Sequence, residues 1–174
     1  MAAKSYRWLG VREFLSPKGR LNRLTYFANS AGINIAAFAL LMIVGAFADS
    51  LFNDLTAPAG IALTIGVILI YSLLNYLWFC LVAKRLHDLG LSAWLGLVLF
   101  IDYGPWLLSM TIGLFDLLPL AFYEFYESLS QVTTWFNLAA GLCLLLIPGK
   151  KGDNRYGPDP LAYLRPSKPH VLEG

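Results

Sequence analysis

A chain of 174 residues that is 57% hydrophobic and 14% charged, with a mean hydropathy of +0.60, carries far less charge than the quarter or so of residues usual in a soluble domain, which excludes a soluble globular domain and a disordered tail. Its net charge of +2 is too small to argue for a nucleic-acid partner, and its 13 Lys and Arg gather in three blocks between apolar runs, the pattern of membrane orientation. The two cysteines, Cys80 and Cys143, each lie inside an apolar run and imply no disulfide framework.

Residues 4 to 16 put Trp8, Val11 and Leu15 on one helical face, with Phe14 near its edge and Leu9 off the stripe. A short cytoplasmic interfacial helix ending at Ser16-Pro17 is expected. Next comes an apolar run from Tyr26 to Ala48, long enough for the roughly 20 helical residues that cross a bilayer core. It ends in Ala46-Phe47-Ala48, which mimics a signal-peptidase site, but it exceeds the roughly 7 to 15 apolar residues of a cleavable signal, so a retained helix is expected. A second span covers Gly60 to Ala83, with Thr64, Ser72 and Asn75 as its polar members. The third, Leu91 to Leu114, carries Asp102 followed by Gly104-Pro105, and the proline predicts a kink or break. From Phe115 to Leu129 the chain turns aromatic and acidic, as an interfacial loop or surface helix would. Ser130 to Ile147 forms the fourth span, and residues 148–174 the tail. Open strands cannot cross lipid, because unpaired backbone groups cost several kcal/mol each there, and no stretch alternates as barrel strands do. The expected fold is therefore an all-α integral membrane protein, a four-helix transmembrane bundle within one domain over residues 1–170.

Four spans divide the charges completely. Lys4, Arg7, Arg12, Lys18, Arg20 and Arg23 precede the first span, Lys84 and Arg85 lie between the second and third, and Lys150, Lys151, Arg155, Arg165 and Lys168 follow the fourth. The opposite side holds only Asp49, Asp54, Asp116, Glu124 and Glu127. Both termini are thus expected in the cytosol.

Three polar motifs stand at membrane boundaries on that face: Gly19-Arg20-Leu21-Asn22-Arg23, then Lys84-Arg85-Leu86-His87-Asp88-Leu89-Gly90-Leu91-Ser92-Ala93-Trp94, then Gly152-Asp153-Asn154-Arg155-Tyr156-Gly157-Pro158-Asp159-Pro160. Together they resemble the DUF805 family of small bacterial inner-membrane proteins, whose pattern is G-R-x-x-R with an aromatic pair, R-R-L-H-D-x-G-x-S-x-W, and G-x-N-x-Y-G-P-D-P. The resemblance covers most of residues 16 to 161. This chain departs from the pattern at Pro17, Phe27 and Lys84, and has a longer link over residues 101–142. The family is of unknown function, so the resemblance implies a fold and a location but no reaction.

The cytoplasmic cluster of Arg20, Arg23, Arg85, His87, Asp88, Asn154, Arg155 and Asp159 has two readings. Its arginine forks match phosphate geometry and would bind anionic lipid headgroups or a membrane-protein partner. Alternatively Asp88 and Asp159 pair with arginines to lock short loops. Gly90, Gly157, Pro158 and Pro160 read as turn chemistry. His87 beside Asp88 invites an enzymatic reading, yet the only other histidine is His170, so no metal, cofactor or catalytic set is expected. Within the membrane, Asn34, Asn75, Asp102 and Asn137 fall about 12 to 16 Å from the cytoplasmic helix ends at about 1.5 Å per residue. That layer reads as interhelical hydrogen-bonding glue or as an ion or proton path. Small residues at Gly32 and Ala36, and at Ala62 and Gly66, have the spacing that lets helices approach, including between copies of the chain. A non-enzymatic membrane module is the first expectation, a small transporter or channel subunit using Asp102 the second, and an enzyme using His87 and Asp88 the third.

Overall fold

The computed structural model describes residues 7–46, 58–112 and 117–162. Lys4, Asp49, Asp54, Phe115, Asp116, Arg165, Lys168 and His170 lie outside these residues, as do Phe47-Ala48 of the signal-like tripeptide and the end of the expected third span. Among the described residues the chain is helical: α1 (Val11–Phe14), α2 (Arg23–Ala46), α3 (Pro58–Asp88), a 3-10 segment (Ala93–Phe100), α4 (Tyr103–Thr111) and α5 (Leu120–Leu146). Arg23–Ile43, Gly60–Asp88 and Leu120–Leu146 are each long and apolar enough to cross a bilayer. The 3-10 segment and α4 reach that threshold only together, and they meet at a bend of 43°. Proline at position 105 accounts for the bend, since it cannot donate to the turn before it.

Apolar side chains surround these helices rather than lining one face, which is how a membrane helix differs from a surface helix. Leu41 and Leu69 are 66% and 65% exposed, an aggregation hazard in water but ordinary solvation in lipid. The chain is built as a membrane protein. Its buried core lies where Leu21, Tyr26, Leu81, Val82, Leu86 and Leu144 meet, among the segments that carry the three motifs. Gly96 brings the 3-10 segment against α3 there; a Cβ on it would stand 3.1 Å from a Val82 methyl.

Several boundaries differ from those the sequence suggests. Beyond Ala83, α3 continues to Asp88, so Arg85 and Asp88 sit on the last helical turn and not in a loop. The helix stops through glycine: Gly90 at φ +77 lets its N–H reach the His87 carbonyl at 3.0 Å and the Leu91 N–H reach Leu86 at 2.8 Å, the αL stop that only glycine takes without strain. At the other end of the bundle, α5 begins at Leu120, ten residues before the expected span, so much of the aromatic, acidic stretch is helix and not interfacial loop. Of the amphipathic helix expected over residues 4–16, the described residues 7–16 form only the four-residue α1. Leu9, off the predicted stripe, is the residue of that segment that is buried. The cause is a side chain on α2: Asn29 accepts from the Leu9 N–H at 3.0 Å and donates to the Arg7 carbonyl at 2.9 Å, holding the segment extended. Trp8 then lies on Gly32, 3.1 Å from where its Cβ would be, so the chain's own N-terminal segment uses that small residue. Residues 148–162 fold back onto the end of α3.

Candidate functional site

The three motifs converge on Asp88. Its Oδ2 accepts from Arg85 Nη1 at 2.5 Å, and its Oδ1 accepts from Arg20 Nε and Nη2 at 3.2 and 3.1 Å. All three side chains are buried, Arg85 completely. One carboxylate cannot neutralise two guanidiniums, and backbone dipoles supply the rest. Arg85 donates to the carbonyls of Leu144, Ile147 and Leu21, and Arg20 to those of Lys150, Gly152 and Gly157. The Leu144 and Ile147 carbonyls end α5, where a helix leaves acceptors unpaired and carries partial negative charge. Arg85 is thus a cap on α5 supplied by α3.

The third motif closes over this centre. The Lys150 N–H donates to the Asp88 carbonyl at 2.8 Å. Asn154 donates from Nδ2 to the His87 carbonyl at 2.9 Å, and its Oδ1 accepts from the Tyr156 N–H at the same distance. Asp159 accepts from the Gly152 and Leu161 N–H groups at 2.7 and 2.9 Å, fixing the loop. The His87 ring stacks on Tyr156 with centroids 3.9 Å apart, and the Arg155 guanidinium lies 4.6 Å from the centre of the Tyr156 ring. His87 Nδ1 faces the Gly19 carbonyl at 3.1 Å. A carbonyl only accepts, so Nδ1 carries the proton in this pairing. Of the eight residues expected to form a binding cluster, Arg20, Arg85, His87, Asp88 and Asp159 are buried, Asn154 is half-buried, and only Arg23 and Arg155 are exposed. The buried arginines are spent on internal acceptors, with Asp88 paired to both Arg20 and Arg85. Gly149 belongs to the cluster as well, since any Cβ there would overlap the Asp88 carboxylate. No charge marks it in the sequence.

Beside the cluster is a cleft of about 450 Å³, lined by five cations (Arg7, Arg12, Lys18, Arg20 and Lys84) and two carboxylates (Glu13 and Asp159). Arg7 grips Glu13 through both nitrogens at 2.6 and 2.7 Å, and this pairing, with the Gly10 N–H donating to the same carboxyl, holds Glu13 down at about 2 despite the opposing effect of its burial. Lys84 Nζ bonds the Glu13 carbonyl. Arg12 and Lys18 are exposed at the cleft. These two were counted in the charge partition but not singled out, since no motif contains them.

A larger cavity, about 610 Å³, opens between α2, α3, the 3-10 segment and α5. Asn34, Asn75, Asp102 and Asn137, expected at one depth, all line it. They are not bonded to one another. Asn75 Nδ2 donates to the Tyr71 carbonyl at 2.9 Å, and Asn137 Nδ2 to the Leu99 carbonyl at 3.1 Å, the latter bridging α5 to the 3-10 segment. Asp102 Oδ2 accepts from Thr133 on α5 at 3.1 Å. The Tyr71 and Trp106 rings meet at a tilt of 38° with centroids 4.0 Å apart, and Ser72 and Tyr103 are joined through their hydroxyls at 2.6 Å, so α4 is held against α3. Among the described residues no three His, Cys, Asp or Glu stand together as a metal site would require, and both cysteines are free.

No curated protein and no solved structure matches this chain. The family model that matches is DUF805, a protein of unknown function, over residues 14–158. All three motifs around Asp88 fall within those residues, bar the final Asp159-Pro160, and the chain belongs to the DUF805 family.

Proposed function

We propose that this chain is a non-enzymatic, four-span protein of a bacterial inner membrane, with both termini in the cytosol, that holds anionic phospholipid headgroups at its cytoplasmic face. In this reading the bent pair of the 3-10 segment and α4 is the third span, kinked at Ile101-Asp102, just before Gly104-Pro105. The charge partition supports the orientation, and the resemblance of the motifs supports the compartment. The non-enzymatic reading is supported by the state of its would-be catalysts. His87 is stacked and bonded, and Asp88 lies between two guanidiniums.

The observation that carries the headgroup role is the cleft in which five cations outnumber two carboxylates. Each Lys or Arg near an anionic membrane surface contributes about 1 kcal/mol. Arginine forks match phosphate oxygens. Arg12 and Lys18, exposed at the cleft, would take the phosphate, while Arg20 and Lys84 supply charge from behind.

The test is native mass spectrometry of protein released from nanodiscs with equal phosphatidylglycerol and phosphatidylcholine. Wild type should keep phosphatidylglycerol preferentially, and the Arg12→Gln, Lys18→Gln double variant should keep the two equally. Equal retention by wild type overturns the proposal. So does a stoichiometric second protein, or second copy of the chain, that shields the cleft in place of lipid.

A further inference from the structure

The 610 Å³ cavity holds one buried acceptor that the chain does not meet. Because the Leu99 and Tyr71 carbonyls can only accept, they fix which way the Asn137 and Asn75 amides point, and each takes one N–H of its amide. Asn137 Oδ1 is left buried with no hydrogen-bond partner. The single Thr133 proton is shared between the Ser130 carbonyl and Asp102, each 3.1 Å away, so the carboxylate is thinly supplied with donors. No Lys or Arg lines the cavity. A buried acceptor without a donor is destabilising, and an uncompensated carboxylate more so.

The walls complete the description. Apart from the Asn and Asp groups they are aliphatic and aromatic, with Tyr71 and Trp78 presenting rings that favour a cation near their faces. The volume lies within the roughly 300–1,000 Å³ of small-molecule sites.

We propose that this cavity binds a compact lipophilic primary ammonium: an –NH₃⁺ head donating to Asp102 and Asn137 Oδ1, with its apolar body along the helix walls. Donors on one positive centre answer Asn137 Oδ1, the buried acceptor left without a partner, and the Asp102 carboxylate beside it, which has only the shared Thr133 proton. A phospholipid amine is the wrong occupant, because its phosphate would enter a cavity with no cation to meet it. The site shares no residue with the basic cleft, so the headgroup reading and this one fail separately.

Isothermal titration of the protein in phosphatidylcholine nanodiscs, with empty nanodiscs as the blank, tests it using decylammonium, decanol and decyltrimethylammonium. Decylammonium should bind saturably at one site per chain. Decanol lacks the charge and decyltrimethylammonium lacks the N–H donors. Each should bind at least about tenfold more weakly, the worth of one charge-assisted hydrogen bond. Asp102→Asn and Asn137→Leu should lose a similar factor for decylammonium. Binding no greater than that of empty nanodiscs, or decanol binding as tightly as decylammonium, overturns the proposal on wild-type protein alone, whether or not the variants fold. Folded Asp102→Asn with unchanged decylammonium affinity overturns it too.

Discussion

Arg85 has no water-facing surface, and yet every nitrogen of its guanidinium has an acceptor. A buried charge of this kind is tolerable only while its partners remain, and removing one side of such a pair typically costs about 3–5 kcal/mol. Asp88→Asn should therefore unfold several degrees earlier in mild detergent, as should Arg85→Lys, because a lysine cannot span carboxylate and helix end with one fork. Arg23→Gln, which changes an exposed cation in the first turn of α2, should leave the melting temperature unaltered. Were Asp88→Asn to melt with wild type, the cluster would not be what joins the motifs. The sequence revealed that charged residues meet here, since no other place exists for them beside apolar spans. It could not reveal which arginines are internal. Their acceptors are carbonyls of Leu144, Ile147, Lys150 and Gly152, backbone groups that residue identity does not disclose.

Between helices, the same distinction governs what could be read. Span cores were legible because some twenty apolar residues have few alternatives to a membrane helix. Their ends were not, since helix continuation depends on what receives the terminal residues. Lys84 to Asp88 remain helical because the first and third motifs surround them, and the N-terminal segment is straightened because Asn29 offers both a donor and an acceptor. Asn29→Leu removes the acceptor of the buried Leu9 N–H, at about 1–3 kcal/mol for a buried group left unpaired. The segment should then undock, with faster tryptic cleavage at Arg7 and Arg12 and little change in overall melting. Acid should act on the same contact. Glu13 in place titrates at about 2 against its ordinary 4.5, so the support it gives is complete above 4.5 and fades as pH falls toward 2. The Trp8 emission, isolated by subtracting the Trp8→Phe spectrum, should shift to the red across that interval, and Glu13→Gln should show the shifted spectrum at neutral pH. A Trp8 signal constant until global unfolding would mean that the Arg7–Glu13 pair does not hold the segment.

At the scale of the whole molecule, charge and packing bear on one another. The motif segments hold the cluster and part of the buried core, and the exposed cations Arg23 and Arg155 lie within them, with Arg12, Lys18, Lys150 and Lys151 in the residues just before. The remaining length of the long helices offers mostly apolar surface. Translocating the motif end would carry all those cations across the membrane together, whereas the opposite end has only acids to retain. The cavity sits partway along this axis. Its four polar residues were legible as a layer because helical rise converts sequence position into depth, but that they face one space was not, since facing depends on helix rotation. Alkaline phosphatase fused after Asp54 should be active and green fluorescent protein fused after Lys168 should fluoresce, as a periplasmic loop and a cytosolic C-terminus require. An inactive phosphatase together with a dark C-terminal fusion would invert the molecule. The basic cleft would then face a compartment without the lipid surface assigned to it, while the contacts around Asp88, which depend on no membrane, would stand.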